Sequence, residues 1–155
     1  MEKKEEQPMY SRMMEAFHRI RKVNISTMME VSQIEFFALQ IIYKYQEEHL
    51  DREGIYVSDL AEKLKIASSQ TSRMLRNLEE RQWISRSIDT KDRRNTYVII
   101  TEQGNHLRED TSKKLMSYIE SVMESMGSEK VEELVSLCNE MVDAMERELK
   151  KQIQE

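Results

Sequence analysis

The sequence predicts a mainly α-helical fold that contains one small β-hairpin. Among its 155 residues are only three Gly and one Pro, a scarcity that favours long helices over a many-turned β-fold. Apolar residues recur at helical spacing, as in Met13, Phe17 and Ile20. Two short β-prone runs, at residues 84–88 and 96–101, enclose a polar loop and predict the hairpin. The apolar content of 39% is enough to bury a core, so we expect a folded chain.

The first half of the chain predicts two helices. Pro8 fits the first turn of a helix, and the pattern breaks at residues 24–29. Ser32 and Glu35 have the spacing of a capping box, in which each side chain accepts a hydrogen bond from a free N–H at a helix start. The helix that follows is apolar nearly all round, so we expect it at the centre of the fold, before a polar loop at residues 47–54.

Residues 55–101 have a different pattern. A β-prone run is followed by Ser58, which can cap a short helix, and residues 65–68 predict a turn. A second helix is predicted over residues 69–82, with Met74, Leu75 and Leu78 as its buried stripe. Two short helices, a turn and the hairpin are typical of a winged helix-turn-helix. Thr101 can cap the next helix, and Gly127 followed by Ser128 predicts a helix stop and the start of one last helix.

Charge is unevenly distributed between this segment and the rest of the chain. The net charge is −5, which by itself argues against a nucleic-acid partner. Residues 55–101, however, contain nine Lys or Arg and six Asp or Glu, a net charge of +3 that leaves −8 on the remainder. A basic module between acidic helices is the charge distribution expected of a nucleic-acid-binding domain.

The second helix and the hairpin loop carry the side chains that DNA recognition needs. Hydroxyl and amide groups can reach phosphates or base edges, Gln pairs well with adenine, and Arg pairs well with guanine. The candidates on the helix are Ser68, Ser69, Gln70, Ser72, Arg73 and Arg76, with Arg76 expected at a phosphate. The candidates on the wing, residues 89–95, are Lys91, Arg93 and Arg94, at the minor groove or backbone. The helix taken alone is equally consistent with an ordinary solvated face.

The stretch DTKDRRNTYVIITEQG resembles the wing signature of the MarR-type transcriptional regulators, Asp-x-Arg-Asp-x-Arg followed by a strand, Leu-Thr and a helix start with Gly. Asp89, Asp92 and Arg94 match, whereas Lys91 replaces the first Arg. Upstream, SSQTSRMLRNLEERQWISR resembles the family's recognition helix and its exit into the wing, where Arg86 matches. At residue 82, Gln stands where the family usually has Gly. The resemblance implies that Asp89, Asp92 and Arg86 structure the wing.

The resemblance also implies a function and an assembly. Family members are homodimeric winged helix-turn-helix proteins with N- and C-terminal dimerisation helices. They bind a pseudo-palindromic operator in double-stranded DNA, typically repress, and often release DNA when a small-molecule effector acts. The expected organisation is an N-terminal dimerisation helix at 1–31, a central helix and loop at 32–54, the DNA-binding module at 55–101 and C-terminal dimerisation helices at 102–155. The apolar stripes of the flanking helices also favour a second chain over an intramolecular bundle.

Other classes of function are less well supported by the sequence. An enzyme is disfavoured because no phosphate-binding Gly loop, nucleophile motif or His-Glu-x-x-His is present. The alternatives left open are a winged-helix protein-interaction module and, less favoured, a helical structural dimer. No cofactor or metal is expected, since the three His lack ligand spacing. A single Cys, Cys138, suits a cytoplasmic protein and is expected to be buried, and no apolar run is long enough to span a membrane.

Eleven of the twelve Met lie outside residues 55–101. They are interpreted as adaptable filler at helix contacts, with a plastic pocket or an oxidation-sensitive interface as the alternative.

Overall fold

The computed structural model of the chain describes residues 8–90 and 92–153. Within these ranges the protein is mainly helical, with one three-stranded antiparallel sheet, so the predicted fold class is confirmed. In chain order the elements are α1 (Met9–Lys22), a 3-10 turn (Ile25–Met28), α2 (Gln33–Glu48), β1 (Ile55–Tyr56), α3 (Val57–Leu64), α4 (Ser68–Glu80), β2 (Ile84–Ile88), β3 (Thr96–Ile100), α5 (Glu102–Met126) and α6 (Ser128–Ile153). Two compact units divide between Thr111 and Ser112, inside α5.

The start of α2 is set by the predicted capping box. The Ser32 hydroxyl accepts a hydrogen bond from the backbone N–H of Glu35, and the Glu35 carboxylate accepts one from the N–H of Ser32 at 2.8 Å. Two N–H groups that have no helical acceptor are thereby satisfied. The buried side of α2 includes Ala38, Leu39 and Ile42, and it packs against α3 and β3.

The sheet has the strand order β1-β3-β2. Residues 84–88 pair with residues 96–100 in an antiparallel hairpin, and Ile55 and Tyr56 add a short third strand on the other edge of β3. One core connects the sheet to α2, α3 and α4. Its fully buried large side chains are Leu39, Ile42, Ile55, Leu60, Leu75, Leu78, Ile84, Val98 and Thr71.

Four local predictions were wrong. The recognition helix predicted over 69–82 begins at Ser68 and ends at Glu80. Ser58 does not cap α3, because that helix starts one residue earlier, at Val57, and the Ser58 hydroxyl donates to the Asp59 carboxylate instead. The helix α2 is not buried on all sides, contrary to what its nearly all-round apolar sequence predicted. Only one side of the helix reaches the core, and Phe37 is 56% exposed. Pro8 lies immediately before α1 rather than inside its first turn.

Both helices of the helix-turn-helix end in a left-handed residue other than Gly. Lys65, after α3, has φ 53°, and Gln82, after α4, has φ 61°. The N–H of Gln82 donates to the carbonyl of Glu79 at 2.8 Å, and the N–H of Trp83 donates to the carbonyl of Leu78 at 3.0 Å. These two bonds form a Schellman motif, which satisfies carbonyls at the helix end. The chain therefore makes at Gln82 the left-handed turn for which the family usually has Gly.

The start of α5 is held against the turn between α4 and β2. The Thr101 hydroxyl accepts from the N–H of Gly104 at 3.0 Å, as its predicted capping role requires, and donates to the carbonyl of Gln82 at 2.7 Å. A Cβ at residue 104 would lie only 1.9 Å from the carbonyl oxygen of Trp83. Glycine is required at 104 by this close approach and not by an unusual backbone angle.

The helices at the two ends of the chain expose their apolar residues. In α1 and α6 no residue is buried within the described single chain. Ile20 of α1 is 67% exposed, and Leu134 and Met145 of α6 are 48% and 64% exposed. Cys138 is also exposed, so the expectation of a buried thiol is wrong for the single chain. None of the described helices combines the length and apolar character that crossing a bilayer requires.

Candidate nucleic-acid interface

One side of α4 is polar and faces solvent along its whole length. Thr71, Met74, Leu75 and Leu78 point into the core, which turns the opposite side of the helix outward. The exposed face of α4, as we call this opposite side, consists of the six predicted residues Ser68, Ser69, Gln70, Ser72, Arg73 and Arg76. In the described part of the chain no hydrogen bond or ion pair engages the side chain of Arg73 or Arg76. Both guanidinium groups are therefore available to an external acceptor.

The N-terminus of α4 also offers donors. Ala67 occupies the N-cap position and provides no side-chain acceptor for the first-turn N–H groups. Such groups, together with the positive end of the helix dipole, favour an anion such as a phosphate. The hydroxyls of Ser68 and Ser69 lie in the same turn. This end of α4 is thus suited to a phosphate, whereas Gln70 and Arg73 lie further along the face.

Arg86 connects the hairpin to the back of α4. Its guanidinium Nε donates to the Glu79 carboxylate at 2.9 Å, its Nη2 donates to the same oxygen, and its backbone N–H donates to the other oxygen at 3.3 Å. Hydrogen bonds from Arg86 lower the pKa of Glu79 below its ordinary value. The wing strand β2 and the recognition helix are therefore joined by a charged pair as well as by apolar contacts. Arg86 itself is not on the exposed face of α4.

The wing loop is closed by two backbone hydrogen bonds and by one charged side-chain pair of its own. The N–H of Asp89 donates to the carbonyl of Asn95 at 3.0 Å, and the N–H of Asn95 donates to the carbonyl of Asp92 at 2.9 Å. Asp92 accepts two hydrogen bonds at 3.0 Å from the guanidinium of Arg94, which lowers the pKa of Asp92. The side chain of Arg94 nevertheless remains 88% exposed, so the contact with Asp92 orients its guanidinium group without burying it. Arg93 is exposed beside it, and Lys91 lies outside the described residues.

Asp89 anchors the base of the wing on two tyrosines. Tyr56 of β1 and Tyr97 of β3 face each other across the sheet, with their rings stacked at 4.5 Å between centroids. One oxygen of Asp89 accepts from both hydroxyls, at 2.9 Å from Tyr56 and 3.1 Å from Tyr97, and Asp89 as a whole is only 5% exposed. Hydrogen bonds with Tyr97 and Asp89 raise the pKa of Tyr56 above its ordinary value. The wing is thus connected to the third strand of the sheet.

Sequence reasoning missed the two tyrosines. It named both residues of the contact between Asp92 and Arg94, but in the contact between Arg86 and Glu79 it gave a structural role only to Arg86. Tyr56 and Asp89 are 33 residues apart, and no local spacing indicates their hydrogen bond. The strand register could have suggested the pairing of Tyr56 with Tyr97, but β1 has only two residues and no pattern of its own. Among the described residues, no cluster of three His, Cys, Asp or Glu side chains is arranged to hold a metal ion.

Comparisons with known proteins agree with this architecture. A family model described as "MarR family" matches residues 31–96. The uncharacterized HTH-type transcriptional regulator YdgJ of Bacillus subtilis (strain 168) is 28% identical over 111 residues, which are 72% of this chain. The match spans 63% of the length of that relative.

Two solved structures resemble the chain in fold. A mutant of S. aureus MepR has a TM-score of 0.70 and 20% identity, covering 88% of this chain and 96% of that one. The S. aureus MepR–DNA complex has a TM-score of 0.58 and 23% identity, covering 83% of this chain and 98% of that one. At these identities the likeness establishes the winged-helix fold.

Proposed function

We propose that the chain belongs to the MarR family, whose model matches residues 31–96, and that it is a sequence-specific regulator of transcription that binds double-stranded DNA. The exposed face of α4 carries this proposal, because it holds two unpaired arginines on a helix whose other side is fixed in the core. The relative YdgJ is named as an HTH-type transcriptional regulator, and MepR has been solved in complex with DNA.

In the proposed mode of binding, α4 enters the major groove. Gln70 and Arg73 read base edges, Ser68, Ser69 and Ser72 contact phosphates or base edges, and Arg76 contacts a phosphate. Lys91, Arg93 and Arg94 of the wing approach the minor groove or the backbone. Asp89, Asp92 and Arg86 act at a distance from the DNA by holding the wing, which the hydrogen bonds of their side chains support.

The proposed active species is a homodimer. The exposed apolar residues of α1, α5 and α6 support it, because a monomer rarely leaves so much apolar surface in water. An isologous dimer would present two copies of α4 to half-sites of a pseudo-palindrome, roughly 10 bp apart. We further propose that the protein is a cytoplasmic repressor rather than an enzyme, and that a small-molecule effector releases it from DNA, as membership of the MarR family would imply.

Two substitutions on the exposed face of α4 test the proposal. The probe is a duplex selected by the wild-type protein from a random-sequence DNA pool, and binding is measured by fluorescence anisotropy over a series of salt concentrations. Arg73→Ala should cost about 1–3 kcal/mol on the selected duplex and relax the preference for one base pair. The matched variant Arg76→Ala should weaken binding to all duplexes alike and reduce the slope of log affinity against log salt by about one.

The same measurements separate DNA binding from the alternative of a winged-helix module that binds another protein. Salt-dependent binding with a selected sequence supports the regulator. If the wild-type protein shows no salt-dependent binding to any duplex, the proposal is wrong and the protein-interaction module is favoured.

A further inference from the structure

A hydrogen bond from Asn77 to Glu35 connects the recognition helix to the start of α2. Glu35 is only 9% exposed. One carboxylate oxygen accepts from the N–H and the hydroxyl of Ser32, each at 2.8 Å. The other oxygen accepts from the amide of Asn77. A single carboxylate therefore closes the first turn of α2 and binds α4 at the same time.

The surroundings of Glu35 keep it charged at neutral pH. Burial by itself would raise the pKa of Glu35, but hydrogen bonds from Ser32 and Asn77 and the positive charge of Arg81 outweigh burial and lower it. The bond from Asn77 is consequently made to an ionised acceptor, which makes it stronger than a bond between two neutral groups. The ionised acceptor therefore strengthens the contact by which Asn77 fixes α4 to the start of α2.

A second contact lies one turn further along the chain, at the residue that follows α4. Arg81, four residues after Asn77, donates to the carbonyl of Glu30 at 3.5 Å. Elsewhere α4 packs on α3 and β2 through the apolar side chains of its buried stripe, and Glu79 of α4 accepts hydrogen bonds from Arg86 of β2. Apolar contact is non-directional and tolerates small rotations, whereas a hydrogen bond weakens steeply as its angle changes. The polar contacts of Asn77 and Arg81 with residues 30–35, and that of Glu79 with Arg86, are therefore the ones that can define the rotation of α4 about its own axis.

We propose that Asn77 is a positioning residue for DNA recognition, because its hydrogen bond to Glu35, acting together with the pair of Glu79 and Arg86, sets the rotation of α4 and hence the direction of Arg73. Arg73 lies one helical turn before Asn77. A rotation of roughly 10° moves a side chain that ends about 5–6 Å from the helix axis by about 1 Å. That displacement is enough to break a bidentate contact with a base. The inference rests on the proposed function.

The experiment uses full-length protein with three variants. Asn77→Leu removes the donor and adds no charge. Asn77→Asp places a carboxylate against that of Glu35, so the two repel. Glu35→Gln combined with Asn77→Asp reverses the direction of the hydrogen bond, since the Gln amide donates to the new carboxylate while its oxygen still accepts from Ser32. This double variant has the same net charge as the wild-type protein. Gln can replace Glu in a capping box, so the start of α2 is kept.

Affinity is measured for two probes, the duplex selected by the wild-type protein and poly(dI-dC) as non-specific DNA. Asn77→Leu should bind the selected duplex about tenfold more weakly, the loss expected for one misdirected base contact, with poly(dI-dC) affinity changed by less than about twofold. Asn77→Asp should lose still more on the selected duplex. The double variant should recover affinity to within about threefold of wild type, which a loss of stability alone does not explain.

The outcomes are distinct. Equal affinity of Asn77→Leu and wild type for the selected duplex would overturn the inference while leaving the proposed function in place. So would a folded double variant, checked by circular dichroism, that binds the selected duplex no better than Asn77→Asp. If the wild-type protein binds neither probe, the proposed function fails and the inference fails with it.

Discussion

Gln82 adopts a left-handed backbone conformation that is usually reserved for Gly. A residue with a Cβ pays about 1–2 kcal/mol for the left-handed conformation, which Gly adopts freely. The Schellman bonds to Leu78 and Glu79 hold Gln82 at φ 61° in spite of this cost. The strain lies at the exit from the recognition helix, between α4 and β2.

Gln82→Gly should therefore raise the free energy of unfolding by about 0.5–1 kcal/mol, the relief of strain less the added entropy of the unfolded chain. Chemical denaturation at neutral pH measures it. Gln82→Ala is the matched control, because it removes the exposed side chain but keeps the Cβ and so should bring no gain. An equal gain in both variants would mean that the Gln side chain, and not the backbone angle, is the source of the strain.

At the scale of elements, the wing is a strand pair whose loop is oriented by side chains outside it. The carboxylate of Asp89 is buried, and its two tyrosine donors come from β1 and β3. A buried acceptor that loses its donors costs about 1–3 kcal/mol. The wing should therefore depend on Tyr56 and Tyr97 although neither lies in the wing loop.

Replacing both tyrosines, Tyr56→Phe with Tyr97→Phe, should lower the free energy of unfolding by about 1–3 kcal/mol and loosen the wing. Hydrogen exchange at the amides of Asp89 and Asn95, whose bonds close the loop, reports the local effect. Tyr10→Phe, on an exposed tyrosine of α1, is the control and should change neither quantity. Unchanged exchange at these two amides in the double variant would contradict the anchoring role of the tyrosines.

At the scale of the whole molecule, the proposed assembly is indicated more by where the exposed apolar side chains lie than by how many there are. The helix α6 is 26 residues long and buries none of them within the single chain. The exposed thiol of Cys138 and several exposed methionines of α1 and α5 have the same explanation if a second copy covers these helices. Whether the methionines act as filler or as an oxidation-sensitive interface stays an open pair of hypotheses, which DNA affinity before and after mild peroxide would separate.

A charge on the apolar stripe of α6 should disrupt the proposed homodimer. Leu134→Glu is expected to shift the protein towards monomer in sedimentation equilibrium, and to weaken binding to a pseudo-palindromic duplex at least tenfold because two half-sites no longer bind together. Ser136→Glu adds the same charge on the opposite side of the helix and should remain dimeric. A monomeric wild-type protein, or a dimer that Leu134→Glu leaves intact, would refute this assembly.

The sequence by itself determined the features that depend on neighbours along the chain. The capping box of Ser32 and Glu35, the buried stripe of α4 and the hairpin are set by residues a few positions apart, where helix and strand periodicity act directly. The six candidates on α4 were predicted for the same reason, since burying Met74, Leu75 and Leu78 forces them outward. Their contacts with DNA remain a proposal.

Only the tertiary structure decided which distant side chains meet. The contact of Asn77 with Glu35 spans 42 residues and that of Tyr56 with Asp89 spans 33, and both depend on how the helices and the sheet pack. The end of α4 was also decided there, because the Schellman bonds and the hydroxyl of Thr101 hold Gln82 in a conformation that its own propensity opposes. Local propensity selects the elements, and non-local hydrogen bonds then set their orientation.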